Sequence, residues 1–331
     1  MVLSSPSSRQ LTFIDLFAGI GGLRMAFEAA GARCVFTAEA NKFARQTYEV
    51  NFCSDHPVVG DVRDVEASEI PPHDILVAGF PCQPFSLAGV SKQNSLGRAH
   101  GFLDTTRGTL FFEVARILAE KQPKMFLLEN VKNILSHDCG RTFETIIRTL
   151  NEIGYDVTYR IVDASKYVPQ NRKRVAIIGS LRRAVRLQNA DSVWEAHDSR
   201  ADAHRRLGEI LDDQVPEKYV ISDKLWTYLQ NHAAKHRERG NGFGYGLVDA
   251  NSISRTLSAR YHKDGSEILV ACKKNGNPRR LTPRECARLM GFPEAFQIPV
   301  SDTQAYMQFG NSVVVPLFTD IAKSMICELT K

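Results

Sequence analysis

Short apolar runs alternate with longer amphipathic stretches over the first half of the chain. The runs are rich in Val, Ile, Leu and Phe, as buried parallel strands are, and they predict strands at 12–17, 33–38, 74–80, 125–129 and 174–180. Amphipathic stretches predict helices at 22–30, 42–51, 109–121 and 141–153. This alternation is typical of a mainly parallel sheet with helices on both faces. The sequence therefore predicts an α/β fold for this half.

The second half of the chain has a different character. After residue 181 the alternation fades, and the chain is polar, irregular and dotted with glycine to about residue 299. An apolar amphipathic stretch at 313–329 then predicts a last helix. We expect a catalytic, cofactor-binding domain at 1–185, a smaller irregular domain at 186–300 and a C-terminal segment at 301–331.

Composition and length exclude several classes of protein. The 331 residues allow roughly two domains, and 43% hydrophobic with 24% charged residues is a globular balance. No apolar run approaches the ~20 residues of a membrane span, and the serine-rich start lacks the order of a secretory signal. Seven cysteines without a C-x-x-C pair suggest neither disulfides nor a zinc site. We expect a cytoplasmic protein without metal.

Positive charge is concentrated in one block of the second half. The net charge of the chain is +5, whereas residues 231–280 carry ten basic and four acidic side chains. Phe243, Tyr245 and Tyr261 are interleaved with them. Such a block suits a surface that meets phosphates and bases, although a solvated basic face has the same composition.

A glycine cluster follows the first predicted strand. Gly19, Gly21 and Gly22 open a helix, which lets backbone N–H groups approach a nucleoside cofactor. Glu39 ends the second strand about 20 residues later, where a carboxylate accepts from ribose hydroxyls. The pattern is not the full G-x-G-x-x-G, which favours S-adenosylmethionine over a dinucleotide. Asp61 is a candidate acceptor for the adenine amino group. A tight turn and a solvated loop acid are the plain alternatives.

Cys82 lies in a loop directly after the 74–80 strand, between Pro81 and Pro84. The two prolines stiffen the loop and fix the direction of the thiol. Most free cysteines are inert small hydrophobes, but a loop at the carboxyl end of a sheet strand is where open α/β folds place their chemistry. Cys82 is therefore a candidate nucleophile.

A carboxylate and two arginines are expected beside that thiol. Glu129 ends the neighbouring strand, and Arg172 and Arg174 precede the strand at 174–180. A thiolate that attacks carbon-6 of cytosine makes carbon-5 nucleophilic, and it needs positive surroundings to ionise. Glu129 would protonate or hydrogen-bond ring nitrogen-3, and the arginines would orient it and stabilise the ring oxygen. The target base would be flipped out of its duplex.

The sequence resembles the bacterial DNA (cytosine-5)-methyltransferase family over nearly its whole length. The shared blocks occur in the family's order: FIDLFAGIGG at 13–22, PCQPFS at 81–86, TRGTLFF at 106–112, ENVKN at 129–133, QNRKR at 170–174, RECARLMGFP at 284–293 and QFGNSVVVP at 308–316. The resemblance implies a Rossmann-like S-adenosylmethionine-dependent methyltransferase sheet and a target-recognition domain. It also implies that the last helix returns to the catalytic domain.

The resemblance also implies roles for individual residues. Cys82 is the implied nucleophile, Glu129 and Arg174 are partners of the flipped cytosine, and Arg172 is catalytic support. Contacts to the cofactor are implied for Phe17, Glu39, Asp61, Pro81 and Asn311, with the glycines and Val62 beside them. Relatives often have tryptophan after the acid, where this chain has Ala40, which predicts weaker stacking on adenine.

Within the small domain, RGNGFGYG at 239–246 and RTLSARY at 255–261 resemble the Dcm-type subgroup, which methylates the inner cytosine of CC(A/T)GG or CCNGG. Thr256 is where relatives touch the phosphate beside the flipped base. Candidate contacts to double-stranded DNA are Gln83, Arg239, Arg255, Thr256, Arg260 and Lys263, because arginine to guanine is the commonest specific contact.

Three other functions are weighed against this one. An RNA cytosine-5 methyltransferase would use the same catalytic blocks, but the small domain argues against it. A catalytically weak DNA-binding regulator would be favoured by the loss of Cys82 or Glu129, and both are present. If the protein were a nicotinamide oxidoreductase, Cys82 would have no assigned role in the reaction. We expect a monomer that associates with the bacterial nucleoid through DNA.

Overall fold

The computed structural model describes residues 9–81, 110–185, 191–201, 205–242, 244–272 and 276–331. A seven-stranded sheet forms the centre of the larger half, in the order β3-β2-β1-β4-β5-β7-β6. Its strands are β1 (Thr12–Leu16), β2 (Arg33–Ala38), β3 (Val58–Val59), β4 (Ile75–Gly79), β5 (Met125–Val131), β6 (Tyr155–Asp163) and β7 (Lys173–Leu181). The first five strands in this order run parallel, whereas β7 is antiparallel to both β5 and β6.

Helices cover both faces of this sheet. They are α1 (Gly22–Ala29), α2 (Lys42–Asn51), α3 (Leu110–Lys121), α4 (Arg141–Glu152) and, after the sheet, the short α5 (Glu195–Asp198). Alternate residues of β1 enter two separate cores. Phe13 packs in the cluster beneath α1, and Ile14 and Leu16 pack in the cluster that includes α3 and α4. The predicted α/β class with helices on both faces is confirmed.

The five predicted strands are present, each within two residues of its expected ends. One long strand, β6, was not predicted. Its sequence alternates between Tyr155, Val157 and Tyr159 on one side and polar residues on the other, and this period of two was the available signal. The alternation lacks the continuous apolar run of the other strands because β6 is an edge strand, with Tyr159 48% exposed.

The second half forms a small lobe, which the structure describes at 205–242, 244–272 and 276–281. It contains a three-stranded sheet of β8 (Leu247–Val248), β9 (Leu269–Val270) and β10 (Arg279–Arg280), together with the helix α6 (Asp223–Glu238). The hydrophobic cluster beneath α1 continues into this lobe through Leu257 and Tyr261. The two halves therefore share one core instead of meeting only through a linker.

Three helices follow the small lobe: α7 (Pro283–Leu289), α8 (Asp302–Asn311) and α9 (Val315–Thr330). Thr282 caps α7 with its side chain, and Glu285 reaches back to the backbone of Thr282, which closes a capping box. Helix α9 packs against α1 and α5. It carries the chain back to the sheet of the larger half. No helix in the described ranges has the length and apolarity to cross a bilayer.

The turn before α1 tolerates no side chain at Gly21. Its φ is +83°, and an added Cβ would lie 2.1 Å from the ring of Phe52, which is itself packed beside Tyr48 and Arg24. Gly31 has a φ of +97° with nothing within 4 Å of an added Cβ. A side chain at Gly31 would therefore cause backbone strain alone, whereas a side chain at Gly21 would cause backbone strain and steric overlap.

We expect Gly31→Ala to lower the free energy of unfolding by about 1–2 kcal/mol through backbone strain alone. Gly21→Ala is expected to cost about 1–3 kcal/mol more, because the ring must also move out of a packed site. Urea unfolding of both variants measures the difference. Equal losses at the two positions would show that the contact with Phe52 is not tight.

Candidate active site

A cavity of about 690 Å³ opens at the carboxyl ends of β1, β4 and β5, and both halves of the chain contribute to its wall. Ten residues that the sequence singled out line it: Phe17, Gly19, Gly22, Glu39, Asp61, Val62, Pro81, Glu129, Arg174 and Asn311. Cys82 and Gln83 lie outside the described residues. Within the described residues no group of three or more His, Cys, Asp and Glu side chains could hold a metal ion.

The glycine turn forms one end of the cavity. Phe17 has a φ of +54° and Gly19 a φ of +56°, so the chain leaves β1 through a left-handed bend. A non-glycine residue in this region is uncommon and stores strain at functional sites. Gly19 and Gly22 line the cavity. Gly21 is not among the lining residues, and Phe52 leaves no room for a side chain there, so its expected contact with the cofactor stays a prediction.

Glu39 closes this end of the cavity. The N–H of Gly19 donates to Oε2 at 2.8 Å and the N–H of Asn41 donates to Oε1 at 2.7 Å. Two backbone donors fix the carboxylate at the mouth of the turn, and each oxygen retains a second lone pair. The carboxylate is thus oriented to accept further hydrogen bonds from a pair of hydroxyl groups.

Asp61 has a partner of its own. Its carboxylate accepts from Arg63, with Nε 3.0 Å from Oδ1 and Nη2 2.5 Å from Oδ2. These hydrogen bonds lower the pKa of Asp61. Its expected contact with an adenine amino group stays a prediction, and that contact would share the carboxylate with Arg63.

The segment that leads to Cys82 is anchored from the next strand. Gly79 of β4 pairs with Glu129 of β5, and the side-chain amide of Asn130 donates to the carbonyl of Phe80 at 2.8 Å. Asn130 is 2% exposed. Sequence reasoning assigned it no role, although it follows the candidate acid directly. It fixes the backbone two residues before the candidate nucleophile.

Glu129 and Arg174 form an ion pair in the wall of the cavity. Nε of Arg174 lies 3.0 Å from Oε1 of Glu129, and both side chains are largely buried. Burial raises the pKa of Glu129, and the positive charges of Arg174 and Arg172 oppose that rise. Because β5 and β7 are antiparallel, the end of one strand lies beside the start of the other. A carboxyl group that holds or releases a proton is thereby placed against a fixed cation.

Arg172 points elsewhere. Nη1 donates to the carbonyl of Leu257 at 2.7 Å, and Nη2 donates to the carbonyls of Gly310 at 3.0 Å and Ser312 at 2.7 Å. The side chain is 2% exposed and is not among the residues that line the cavity. The expected catalytic support from Arg172 is not a contact with the cavity in this structure.

The predicted DNA contacts other than Gln83 lie on the small lobe. Arg239 ends α6, and Arg255, Arg260 and Lys263 are exposed near the short helical turn at 259–262. The hydroxyl of Thr256 donates to the carbonyl of Asn171 at 2.6 Å. Within the described part of the chain, the four basic side chains form no ion pair. Their charges are therefore available to an external anion.

Two cavity residues of the small lobe were missed by sequence reasoning. Ser258 and Ala259 line the cavity beside Arg174 and Asn311. The hydroxyl of Ser258 donates to a carboxylate oxygen of Glu267 at 2.5 Å. Neither residue type carries a catalytic signal, and nothing in the local sequence shows that this part of the lobe reaches the sheet.

Comparison with known proteins agrees with the motifs. The model of the C-5 cytosine-specific DNA methylase family matches residues 11–327. The DNA-cytosine methyltransferase of Escherichia coli is 49% identical over 94% of this chain and 76% of that protein. The type II methyltransferase M.NlaX of Neisseria lactamica is 49% identical over 96% of both chains.

Solved structures show the same fold at low identity. The Entamoeba histolytica methyltransferase EhMeth superposes with a TM-score of 0.73 at 20% identity, over 98% of this chain and 100% of that chain. The Schizosaccharomyces pombe Dnmt2 methyltransferase gives a TM-score of 0.71 at 18% identity, over 97% and 98% of the two chains. At these identities the likeness concerns the fold alone.

Removing the cation from the ion pair is expected to change how stability depends on pH. In Arg174→Met the pKa of Glu129 should rise further, since Arg174 opposes the effect of burial. A carboxyl group with a higher pKa in the folded state binds more protons when folded, so the free energy of unfolding falls as pH rises between its unfolded and folded pKa. The variant should lose about 1.4 kcal/mol more over that interval for each added pKa unit.

Urea unfolding over a series of pH values measures this difference between wild type and Arg174→Met. The double variant Glu129→Gln with Arg174→Met is the control, because it lacks the titrating carboxyl and should not show the added slope. Parallel pH profiles for wild type and Arg174→Met would mean that the two side chains are not electrostatically coupled.

Proposed function

The chain belongs to the C-5 cytosine-specific DNA methylase family, and on this basis we propose that it methylates the inner cytosine of CC(A/T)GG or CCNGG sites in duplex DNA. DNA cytosine-5 methylation with S-adenosylmethionine as the methyl donor is the activity of the family. The observation that carries the assignment to this site is the single cavity that contains both the Glu39 turn and the Glu129–Arg174 pair. We further propose a catalytic, cofactor-binding domain at 1–185, a target-recognition domain with the junction block at 186–300, and a C-terminal segment at 301–331 that returns to the catalytic domain.

The residues at the Glu39 end fit S-adenosylmethionine. Glu39 offers two oriented oxygens to a ribose, and Phe17 and Val62 offer apolar surface to an adenine. Gly22 packs against Ser312 and Val313, where a Cβ would lie 2.8 Å from the hydroxyl of Ser312, so the start of α1 stays close to Asn311. When bound, S-adenosylmethionine supplies an electrophilic methyl group. Pro81 and Asn311 line the same cavity and would also contact the cofactor.

The residues at the other end fit a flipped cytosine. Cys82 would add as thiolate to carbon-6, which makes carbon-5 nucleophilic. Glu129, with its pKa raised by burial, would share or give a proton to ring nitrogen-3 as negative charge develops. Arg174 would hold that carboxyl in place and lie near the ring oxygen. Once carbon-5 has taken the methyl group from the sulfonium sulfur, its proton would pass to solvent, and the electrons of that C–H bond would expel the Cys82 thiolate from carbon-6. Ring nitrogen-3 would then return its proton to Glu129, which restores the aromatic ring.

Duplex DNA is favoured over RNA as substrate. The two curated relatives described above are named for DNA-cytosine or type II methylation. The basic residues Arg255, Arg260 and Lys263 are exposed and lie close in sequence to Ser258 and Ala259, which line the cavity, and exposed positive charge suits phosphate contacts. Arg239 and Gln83 complete the proposed DNA surface. A regulator without catalysis would have no need of a buried carboxyl–arginine pair beside a cofactor turn.

Cys82→Ala is expected to abolish transfer of labelled methyl groups from S-adenosylmethionine to duplex DNA, because the other residues cannot activate carbon-5 by addition. Cys327→Ala, which changes an exposed cysteine of α9, should transfer at the wild-type rate. DNA with 5-fluorocytosine at its target should trap wild type, and not Cys82→Ala, as a covalent adduct. Undiminished transfer by Cys82→Ala would refute the mechanism.

Bisulfite sequencing of plasmid DNA treated with the purified protein is expected to find 5-methylcytosine at the inner cytosine of CC(A/T)GG or CCNGG. The proposal rests on the likeness of residues 239–261 to one subgroup. A matched plasmid treated without S-adenosylmethionine gives the background. Consistent modification in another sequence context would overturn the proposed site while leaving the activity intact.

A further inference from the structure

The guanidinium group of Arg172 donates hydrogen bonds to backbone carbonyls of two separate segments. Its Nη1 serves Leu257 of the small lobe, and its Nη2 serves Gly310 and Ser312, which flank Asn311 at the end of α8. The last carbonyls of a helix lack intrahelical donors, and a cation at this end also meets the negative pole of the helix dipole. The guanidinium therefore caps α8 and holds the small lobe at the same time.

Gln170 also binds Leu257, through the backbone N–H of that residue. The N–H of Leu257 donates to Oε1 of Gln170 at 2.8 Å, while its carbonyl accepts from Arg172. Gln170 is fully buried. Both polar groups of one residue in the small lobe are thus satisfied by side chains just before β7.

The backbone reinforces this junction. The N–H of Ser254 donates to the carbonyl of Pro169, and the N–H of Asn171 donates to the carbonyl of Ser254, both at 2.9 Å. Thr256 adds its hydroxyl bond to Asn171. Residues 254–257 therefore run along residues 169–172 as a short parallel bridge. Slippage by one residue would break every one of these bonds.

The junction continues directly into the cavity. Ser258 and Ala259 follow Leu257 and line the cavity, and Asn311 lines it from α8. Gly310 is pressed against this part of the lobe, since an added Cβ would lie 2.3 Å from the carbonyl carbon of Ser258. Two walls of the cavity, from segments about 50 residues apart, thus meet over the Arg172 guanidinium.

We propose that Arg172 is a positioning residue that, together with Gln170, holds the 254–257 segment in register with the base pocket and does not itself contact the flipped base. The proposal rests on the proposed function. The segment carries Arg255 and Thr256, the candidate DNA contacts, while Arg174 two residues away holds Glu129. The spacing between sequence recognition and chemistry is therefore set at this junction.

A lysine at position 172 cannot reproduce the arrangement. Its single nitrogen lacks the planar fork that lets Arg172 reach Leu257 on one side and α8 on the other. The variant keeps the charge but is expected to release one of the two walls. When residues 254–257 are no longer held in one position, the DNA-contacting residues can also bind a site with a changed base pair. Discrimination between the correct and the changed site therefore falls.

The experiment compares Arg172→Lys with the matched variant Arg174→Lys. The first readout is the ratio of kcat/KM on the site mapped by bisulfite sequencing to kcat/KM on the same duplex with one base pair changed. We expect the ratio to fall about fivefold or more in Arg172→Lys. In Arg174→Lys both rates should fall by a common factor and leave the ratio unchanged, since Arg174 contacts Glu129 in the chemical step.

The second readout is the Kd of S-adenosylhomocysteine without DNA, by calorimetry. Arg172→Lys should bind it more weakly, because Asn311 loses its fixed position, whereas Arg174→Lys should bind it as wild type does. If the substitution only unfolds part of the protein, the fraction of active enzyme falls. Both rates then fall equally, so their ratio is unchanged, and calorimetry shows a lower number of binding sites with the same Kd. An unchanged ratio together with an unchanged Kd in Arg172→Lys overturns the proposal.

Gly310→Ala tests the junction while the Arg172 side chain itself is unchanged, although Gly310 is one of its hydrogen-bond partners. The added methyl group improves helix propensity but must push α8 away from Ser258, so the same fall in ratio and the same weaker binding are expected. This variant decides the matter if Arg172→Lys does not fold. A wild-type protein that neither binds S-adenosylhomocysteine nor methylates DNA would instead refute the proposed function itself.

Discussion

The buried ion pair between Glu129 and Arg174 is the constraint that orders the rest of the active site. An unpaired charge at this depth would cost several kcal/mol or force the carboxyl to stay protonated. The ion pair offsets only part of the cost of burial. The pKa of Glu129 is still raised by burial, although the positive charges of Arg174 and Arg172 lower it. The result is a carboxyl group that can exchange a proton while its orientation is fixed at 3.0 Å from Nε of Arg174.

The direction of β7 follows from the same requirement. In a fully parallel sheet, Arg174 at the start of its strand would lie at the amino edge, one strand length away from Glu129 at the end of β5. The antiparallel course of β7 brings the start of that strand to the carboxyl edge. Gln170 and Arg172, immediately upstream, then reach the small lobe and α8. One reversal of strand direction thus creates both the ion pair and the junction between the lobes.

The site is therefore assembled at a three-way contact. The glycine turn and Glu39 come from β1 and β2, Glu129 and Arg174 come from β5 and β7, and Ser258 with Asn311 comes from the small lobe and α8. Close packing allows these parts to meet, because a Cβ at Gly22 would overlap the side chains of the segment after α8, and a Cβ at Gly310 would overlap the backbone of the small lobe. The two ends of the cavity therefore share one packed interface between the sheet, the small lobe and α8.

The sequence by itself determined the α/β class, most strand and helix positions and ten of the cavity residues, because buried strands, glycine turns and strand-end carboxylates leave local signals. It did not show β6, whose polar edge position weakens its pattern, or the packing role of Gly21. Only the tertiary structure decided that Arg172 turns to Leu257, Gly310 and Ser312, which lie 85 to 140 residues further along the chain. Main-chain carbonyls carry no side-chain identity, so no sequence pattern marks which of them an arginine will bind.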